Sequence, residues 1–193
     1  MNEHELWESY KSGEVNGLEE LYGKYYRALA NYGYKFTHDQ FCIEESIQDL
    51  FRKLWQNRRW MDQATAIKEY LYSSFRRILI GKLYYSQERI ANEQATEHIP
   101  FYLQLSDEHP VFEGNKLEHR KERAQALLST LANRQREAIF LHYYEGLSDD
   151  SVAQIMNLQH TGAYRLIHRT MDHLRTKSGK FSMLVLLYLL KQS

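Results

Sequence analysis

Cysteine, proline, glycine and valine are all scarce in this chain. Its 193 residues include one cysteine, two prolines and nine glycines. Lone Cys42 excludes an internal disulfide and suits a reducing compartment. So little glycine and proline excludes collagen-like and low-complexity classes, and 43% apolar with 26% charged residues excludes a disordered chain. Valine occurs four times against twenty-five leucines, and helix formers fill the stretches between turn signals, so an all-α protein with little or no sheet is expected. No long hydrophobic run is present. The most apolar stretch, FSMLVLLYLL over Phe181–Leu190, is about half the ~20 residues that cross a bilayer, and is expected to pack on a bundle or a partner. The first nine residues are acidic and polar, unlike a secretory leader, so a cytoplasmic protein is expected.

A strong net charge is missing too. Twenty-five Lys and Arg balance twenty-five Asp and Glu, which on its own argues against a nucleic-acid partner. The distribution argues otherwise. Residues 1–50 hold 4 basic and 10 acidic groups, 51–87 hold 8 and 2, 88–118 hold 2 and 7, and 119–193 hold 11 and 6. Charges beyond about 8 Å are screened at physiological salt, so a phosphate backbone responds to the nearest segment rather than to the sum. Two separated basic zones are therefore candidate contact surfaces.

Both prolines, Pro100 and Pro110, fall in an acidic stretch without helical periodicity. It reads as a linker, 90–116, between two small helical bundles, 1–89 and 117–180, with the apolar tail 181–193 beyond. In the first bundle, Asn16 and Glu19 read as a capping box, followed by a stripe of Leu18, Leu21, Tyr22, Tyr25, Leu29 and Tyr32. A second helix near Gln40–Gln56 buries Ile43, Ile47, Leu50, Phe51 and Leu54. Its other side carries Glu45, Gln48, Asp49 and Arg52, spaced 0, 3, 4 and 7 as a continuous polar strip. A third, near Thr65–Tyr85, turns Ile67, Tyr70, Leu71, Phe75, Ile78, Leu79 and Leu83 inward and leaves Arg76, Arg77 and Lys82 largely off that stripe. Between the two lies a basic, aromatic loop, NRRWMDQ, containing Arg58, Arg59 and Trp60.

The second bundle opens with a helix carrying Leu117, Ala124, Leu127, Leu128 and Leu131. Another follows from about Arg134 to Glu145, closed by Gly146. Ser148 then offers an N-cap, Asp149 and Asp150 oppose the positive helix end, and Leu147 can staple to Val152. That short helix ends near Asn157, and Leu158 returns to the core. A longer helix follows, about His160–Thr176, with Ala163, Leu166, Ile167, Thr170, Met171 and Leu174 inward. Two helices on a tight turn, the second basic outside, describe a helix-turn-helix. In a major groove, His160, Thr161, Tyr164, Arg165 and His168 would reach base edges while Arg169 and Arg175 meet phosphates.

Catalytic constellations are absent. His168 and His173, five apart, point to different faces, and no Cys or carboxylate cluster joins them as a metal site. No phosphate-cradling glycine loop or Ser-centred elbow occurs. Neither an enzyme, a metal, a cofactor nor a small-molecule substrate is expected.

From Leu18 to Arg175 the chain resembles the extracytoplasmic-function sigma factors, which carry bacterial RNA polymerase to promoters. IEESIQDLFRKLW, Ile43–Trp55, is similar to the family's helix that docks on the clamp helices of the polymerase, with Glu45, Gln48, Asp49 and Arg52 in the docking positions. YLYSSFRRILIGKL, Tyr70–Leu83, resembles the helix that opens and reads the minus-ten element, and NRRWMDQ takes the place of the loop that captures a flipped base. Trp60, Tyr72 and Tyr84 are then candidates for base stacking. RQREAIFLHYYEGLSDDSVAQIMNL and HTGAYRLIHRTMDHLR resemble the minus-thirty-five reading domain. The sequence departs from the family pattern at Arg77, Gly81 and Leu166. The resemblance implies core RNA polymerase, promoter DNA and an anti-sigma protein, often anchored in the inner membrane, as partners. Two other readings stay open at this point: a sigma-like interaction protein that has lost promoter selectivity, and an ordinary helix-turn-helix regulator.

Overall fold

The computed structural model describes residues 3–58, 67–85, 99–103 and 115–178, and every regular element among them is helical. They divide into two compact units, 1–99 and 100–193.

The first unit comprises α1 (Glu3–Ser12), α2 (Val15–Tyr34), α3 (Gln40–Asn57) and α4 (Ile67–Tyr85). Helix α1 has no counterpart among the sequence-based expectations, and its presence moves the start of α2. The cap is Glu14, and no side chain bonds across it, so Asn16 and Glu19 do not form the expected capping box. The reason is packing. Tyr10 is fully buried and its hydroxyl donates to the carbonyl of Leu54. A Cβ on Gly17 would lie 2.5 Å from the backbone nitrogen of Tyr10, so the two helices meet at a glycine and α2 begins where that contact allows.

The inward face of α3 is the expected one: Ile43, Ile47, Leu50, Phe51 and Leu54 are all buried. Asp39 caps the helix by accepting from the Cys42 N–H at 3.1 Å. Helix α4 packs against both α3 and α2, and this double contact widens its buried arc beyond a single stripe. Tyr72, Arg76 and Ile80 are drawn inside with Leu71, Phe75 and Leu79, whereas Tyr70, Ile78 and Leu83 are half-buried.

The second unit contains α5 (Asn115–Ser129), α6 (Asn133–Ile139), α7 (Asp149–Ile155) and α8 (His160–Ser178). Two features of it were not expected. Residues Phe101 and Leu103, read as linker, are buried parts of this unit. Phe101 packs edge-on against Phe140, its N–H donates to Asn133, and its carbonyl accepts from Arg136 at 3.0 Å. The Leu103 carbonyl accepts from Gln125. A linker reading from proline and acidity fails here because one aromatic residue with two satisfied backbone groups suffices to dock an extended chain. The second feature is a π-helical turn, Phe140–Tyr144, that continues α6, with the Glu145 N–H donating to the Phe140 carbonyl. Phe140 and Tyr144 stack at 4.7 Å within it, and Gly146 closes it at φ +70°.

Ser148 caps α7 by accepting from the Ser151 N–H, and Asn157, at φ +52°, makes the left-handed turn into α8. Ala163, Ile167, Thr170, Met171 and Leu174 line the buried side of α8, while Leu158 and Leu166, expected in the core, are half-buried.

Two glycines of the first unit make the packing testable. A Cβ on Gly33 would stand 2.9 Å from Ile43 Cγ2 and 3.1 Å from Phe75, whereas one on Gly81 would meet nothing within 4 Å. Gly81→Ala should therefore raise stability by about 0.5–1 kcal/mol through helix propensity alone. Gly33→Ala should lower it by roughly 1–3 kcal/mol through overpacking. Urea unfolding of the two variants reads both signs, and a destabilised Gly81→Ala would contradict the open surroundings of that position.

Candidate nucleic-acid and polymerase interfaces

The polar strip of α3 follows from burial of the opposite face. With Ile43, Ile47, Leu50 and Leu54 turned inward, Glu45, Gln48 and Arg52 must stand outside, and they are exposed; Asp49, at the edge, is half-buried. The strip is not a row of free groups. Lys82 reaches over from α4 and places its Nζ 2.7 Å from Glu45 Oε2 and 2.8 Å from Asp49 Oδ2, while Arg52 holds the other Asp49 oxygen at 2.7 Å. The hydrogen bond from Lys82 holds the Asp49 carboxyl below its ordinary range despite partial burial. Burial alone would lower the Lys82 ammonium, but the bonds to Asp49 and Glu45 outweigh it and push the group up.

This cluster joins residues that the sequence assigned to different partners. Lys82, expected on DNA, is committed to the two carboxylates expected on the polymerase. The sequence could not show the link, since 33 positions separate Asp49 from Lys82 in the chain.

The other first-unit candidates separate into three groups. Tyr72 is a correction: it is fully buried, its ring 5.2 Å from that of Tyr32, and cannot stack on a base. Arg76 is a second correction, being 8% exposed within the α4 contact and so withdrawn from phosphates. Burial of both follows from the widened inner arc of α4. Arg58 folds back on its own helix, its guanidinium 4.3 Å from the Trp55 ring and donating to the Trp55 carbonyl. Arg77 is exposed, and Tyr84 is half-buried with its phenol pushed up by that burial. Arg59 and Trp60, with most of the loop they belong to, lie outside the described residues, as do the greater part of the linker and the apolar tail.

In the second unit all seven base- or phosphate-reaching candidates are exposed on α8, Arg175 among them with its guanidinium 3.4 Å from Asp172. His160, Thr161, Tyr164, Arg165, His168 and Arg169 are exposed, opposite the buried row of Ala163, Ile167 and Leu174. Tyr164 and His168, one turn apart, bring their rings within 4.0 Å and form an aromatic pair. At the start of the helix His160 meets Asp150 of α7, and on the other side of α7 the His142 ring nitrogen lies 3.2 Å from Asp149. The two first-turn carboxylates of α7 thus each face a histidine, one from the preceding helix and one from the following. Among the described residues no three His, Cys, Asp or Glu side chains are grouped to hold a metal ion, and no helix is long and apolar enough to cross a membrane.

The ion-pair cluster has a measurable pH signature. A carboxyl whose folded value is depressed adds stability above its unfolded range and loses it as pH falls through the folded value. Lys82→Met should therefore destabilise the protein by up to about 1 kcal/mol near pH 7, the scale of partly exposed ion pairs. The difference from the parent should still be present in part at about pH 3, inside the ordinary carboxylate range, and vanish only as pH falls through the depressed Asp49 value. Urea unfolding at both pH values checks this, and a pH-independent difference would show that Lys82 acts by packing alone.

Residues 121–174 match the family described as Sigma-70, region 4. No curated protein sequence matches the chain. Among solved structures it is similar to CnrH in complex with the cytosolic domain of CnrY, at 19% identity and a TM-score of 0.60, over 93% of this chain and 99% of that one. It is also similar to the sigma factor RpoE of Bartonella quintana in complex with the anti-sigma factor NepR, at 16% identity and a TM-score of 0.57, over 85% and 98%. The second unit thus carries the sigma-70 region 4 match, and the chain shares the all-helical fold of these two solved structures.

Proposed function

We propose that this chain is a sigma-type initiation factor that docks on core RNA polymerase through the α3 strip and reads promoter DNA through the outer side of α8, in the cytoplasm and without covalent chemistry of its own. The observation that carries the reading is the one-sidedness of α8. Its inner side is sealed in the unit, and its outer side presents His160, Thr161, Tyr164, Arg165, His168 and Arg169 together. A helix of this width enters a major groove, where Arg165 and the Tyr164 and His168 pair reach base edges and Arg169 a phosphate. Short α7, capped by Ser148, leads through the left-handed turn at Asn157 into α8.

In the first unit Glu45, Gln48, Asp49 and Arg52 form the polymerase contact. Arg77 is the exposed cation of α4 proposed for promoter DNA, together with Arg58 and Tyr84, and with Arg59 and Trp60 on the ground of their sequence alone. Lys82 supports the α3 strip rather than a phosphate. Two units on one chain gain effective concentration once either is engaged, so modest individual affinities suffice. The two solved neighbours are both held in complexes, one of them with a named anti-sigma factor, and a regulator of that kind is proposed for this chain as well.

Core polymerase from the native host, mixed with the purified protein, should initiate at a discrete start site. Tyr164→Ala and Arg165→Ala should each lower selective initiation by about 5- to 150-fold, the equivalent of one base contact at ~1–3 kcal/mol, while leaving co-elution with polymerase intact. Asp49→Arg should abolish co-elution. Core enzyme that ignores the protein in gel filtration, with no inhibitor present, would end the sigma reading of both surfaces. A native-host pull-down scored for polymerase subunits and for a membrane-anchored regulator tests the partners, and recovery of neither would count against them.

A further inference from the structure

We propose that Phe41, one turn before the polar strip, is the apolar anchor of the α3 docking surface and inserts into an apolar cavity on a basic segment of core RNA polymerase. The proposal rests on the reading of α3 as the polymerase contact and adds a residue to it. Among the described residues Phe41 is the most exposed large hydrophobic side chain, at 73%, ahead of Val15 at 58% and Tyr164 at 51%. A lone exposed apolar residue is ordinary. What distinguishes Phe41 is register. An α-helix turns about 100° per residue, so positions 41, 45, 48, 49 and 52 fall within one arc of about 100°, and Phe41 lies inside it between Gln48 and Glu45. The surface is therefore not purely polar: it is a ring opposite charged groups, about 16 Å long from Phe41 to Arg52 at ~1.5 Å per residue.

Three further observations favour an occupant. The ring sits on a rigid support, because Asp39 caps the first turn and Gln40 donates to Glu44 at 2.7 Å, so little ordering cost falls on binding. Folding has no use for it: in the first turn of a helix an exposed Phe gains no packing and is a weaker helix former than Glu or Gln. Charge selects the partner. From Asp39 to Asp49 there are four carboxylates and no Lys or Arg, and Lys82 and Arg52 together engage only Glu45 and Asp49. A basic segment with an apolar cavity matches this arrangement, the cavity taking the ring and the cations flanking it toward Glu44 and Glu45. Aromatic side chains desolvated in a fitted cavity carry a large share of the energy at such interfaces.

The test measures the affinity of native-host core polymerase for the full chain and for Phe41→Ala, Phe41→Leu and Asp49→Arg, with thermal unfolding of each and sedimentation of the free proteins. The expected result is a loss of about 10- to 100-fold for Phe41→Ala, partial recovery with Phe41→Leu, a larger loss for Asp49→Arg, and unchanged unfolding of both Phe41 variants. Wild-type affinity for Phe41→Ala beside a loss for Asp49→Arg overturns the anchor and leaves the docking strip standing. Wild-type affinity for both removes the strip and the anchor together. A loss for Phe41→Ala alone places the ring on a different contact and overturns the proposal, as does a self-associating parent that Phe41→Ala renders monomeric with polymerase affinity unchanged.

Discussion

Neither unit reaches a hundred residues, 1–99 and 100–193, and a domain of that size has too little interior to surround a helix on every side. Each helix therefore buries one face and presents the other, and the whole surface of the protein is set by which face is inward. On α3 the inward choice of Ile43, Ile47, Leu50, Phe51 and Leu54 commits Glu45, Gln48 and Arg52 to the outside. On α8 the inward choice of Ala163, Ile167, Met171 and Leu174 commits six polar and aromatic residues to one outer side. Burial of an aliphatic side chain is worth about 1.5–3 kcal/mol, far more than any single exposed ion pair, so the apolar row dictates the face and the polar row follows.

Within that arrangement, electrostatics does local work. Lys82 spans from α4 to two carboxylates of α3 and Arg52 takes the remaining Asp49 oxygen. The cluster fixes the rotamers of a surface offered to a partner, and it ties the helix of one assigned surface to the helix of another. Any basic group arriving at Glu45 or Asp49 meets carboxylates already shared with a cation, which tunes affinity downward and leaves more of the selection to shape. In the second unit the two first-turn carboxylates of α7 each lie beside a histidine, Asp149 by His142 and Asp150 by His160.

Much of this was legible in one dimension. The two inward rows, the Ser148 cap, the left-handed Asn157 and the closing Gly146 are local signals, each set by periodicity or by a residue's own backbone preference. The misses share a physical cause, since each depends on a neighbour distant in sequence. Helix α1 and the displaced start of α2 depend on Tyr10 reaching Leu54 and on Gly17 meeting the Tyr10 backbone. Spacing puts Arg76 off the inward stripe and the resemblance makes Tyr72 a stacking ring, but a second packing partner for α4 draws both in. Phe101 and Leu103 looked like linker because acidity and proline describe composition, whereas docking needed only one ring and a few backbone hydrogen bonds. Phe41 falls outside the inward row of α3 and has no role in the sequence reading, because spacing alone does not report how exposed a side chain is.

The sequence by itself determined the helical class, the two-part division, the faces of α3 and α8 and the turn between α7 and α8, because these follow from short-range spacing and from the conformations that single residues tolerate. Only the tertiary structure decided which polar side chains remained available. Whether Arg76 faces solvent, whether Lys82 is free for a phosphate, and where the second unit begins all depend on contacts between helices, and a helix's own periodicity carries no record of how many neighbours it will have.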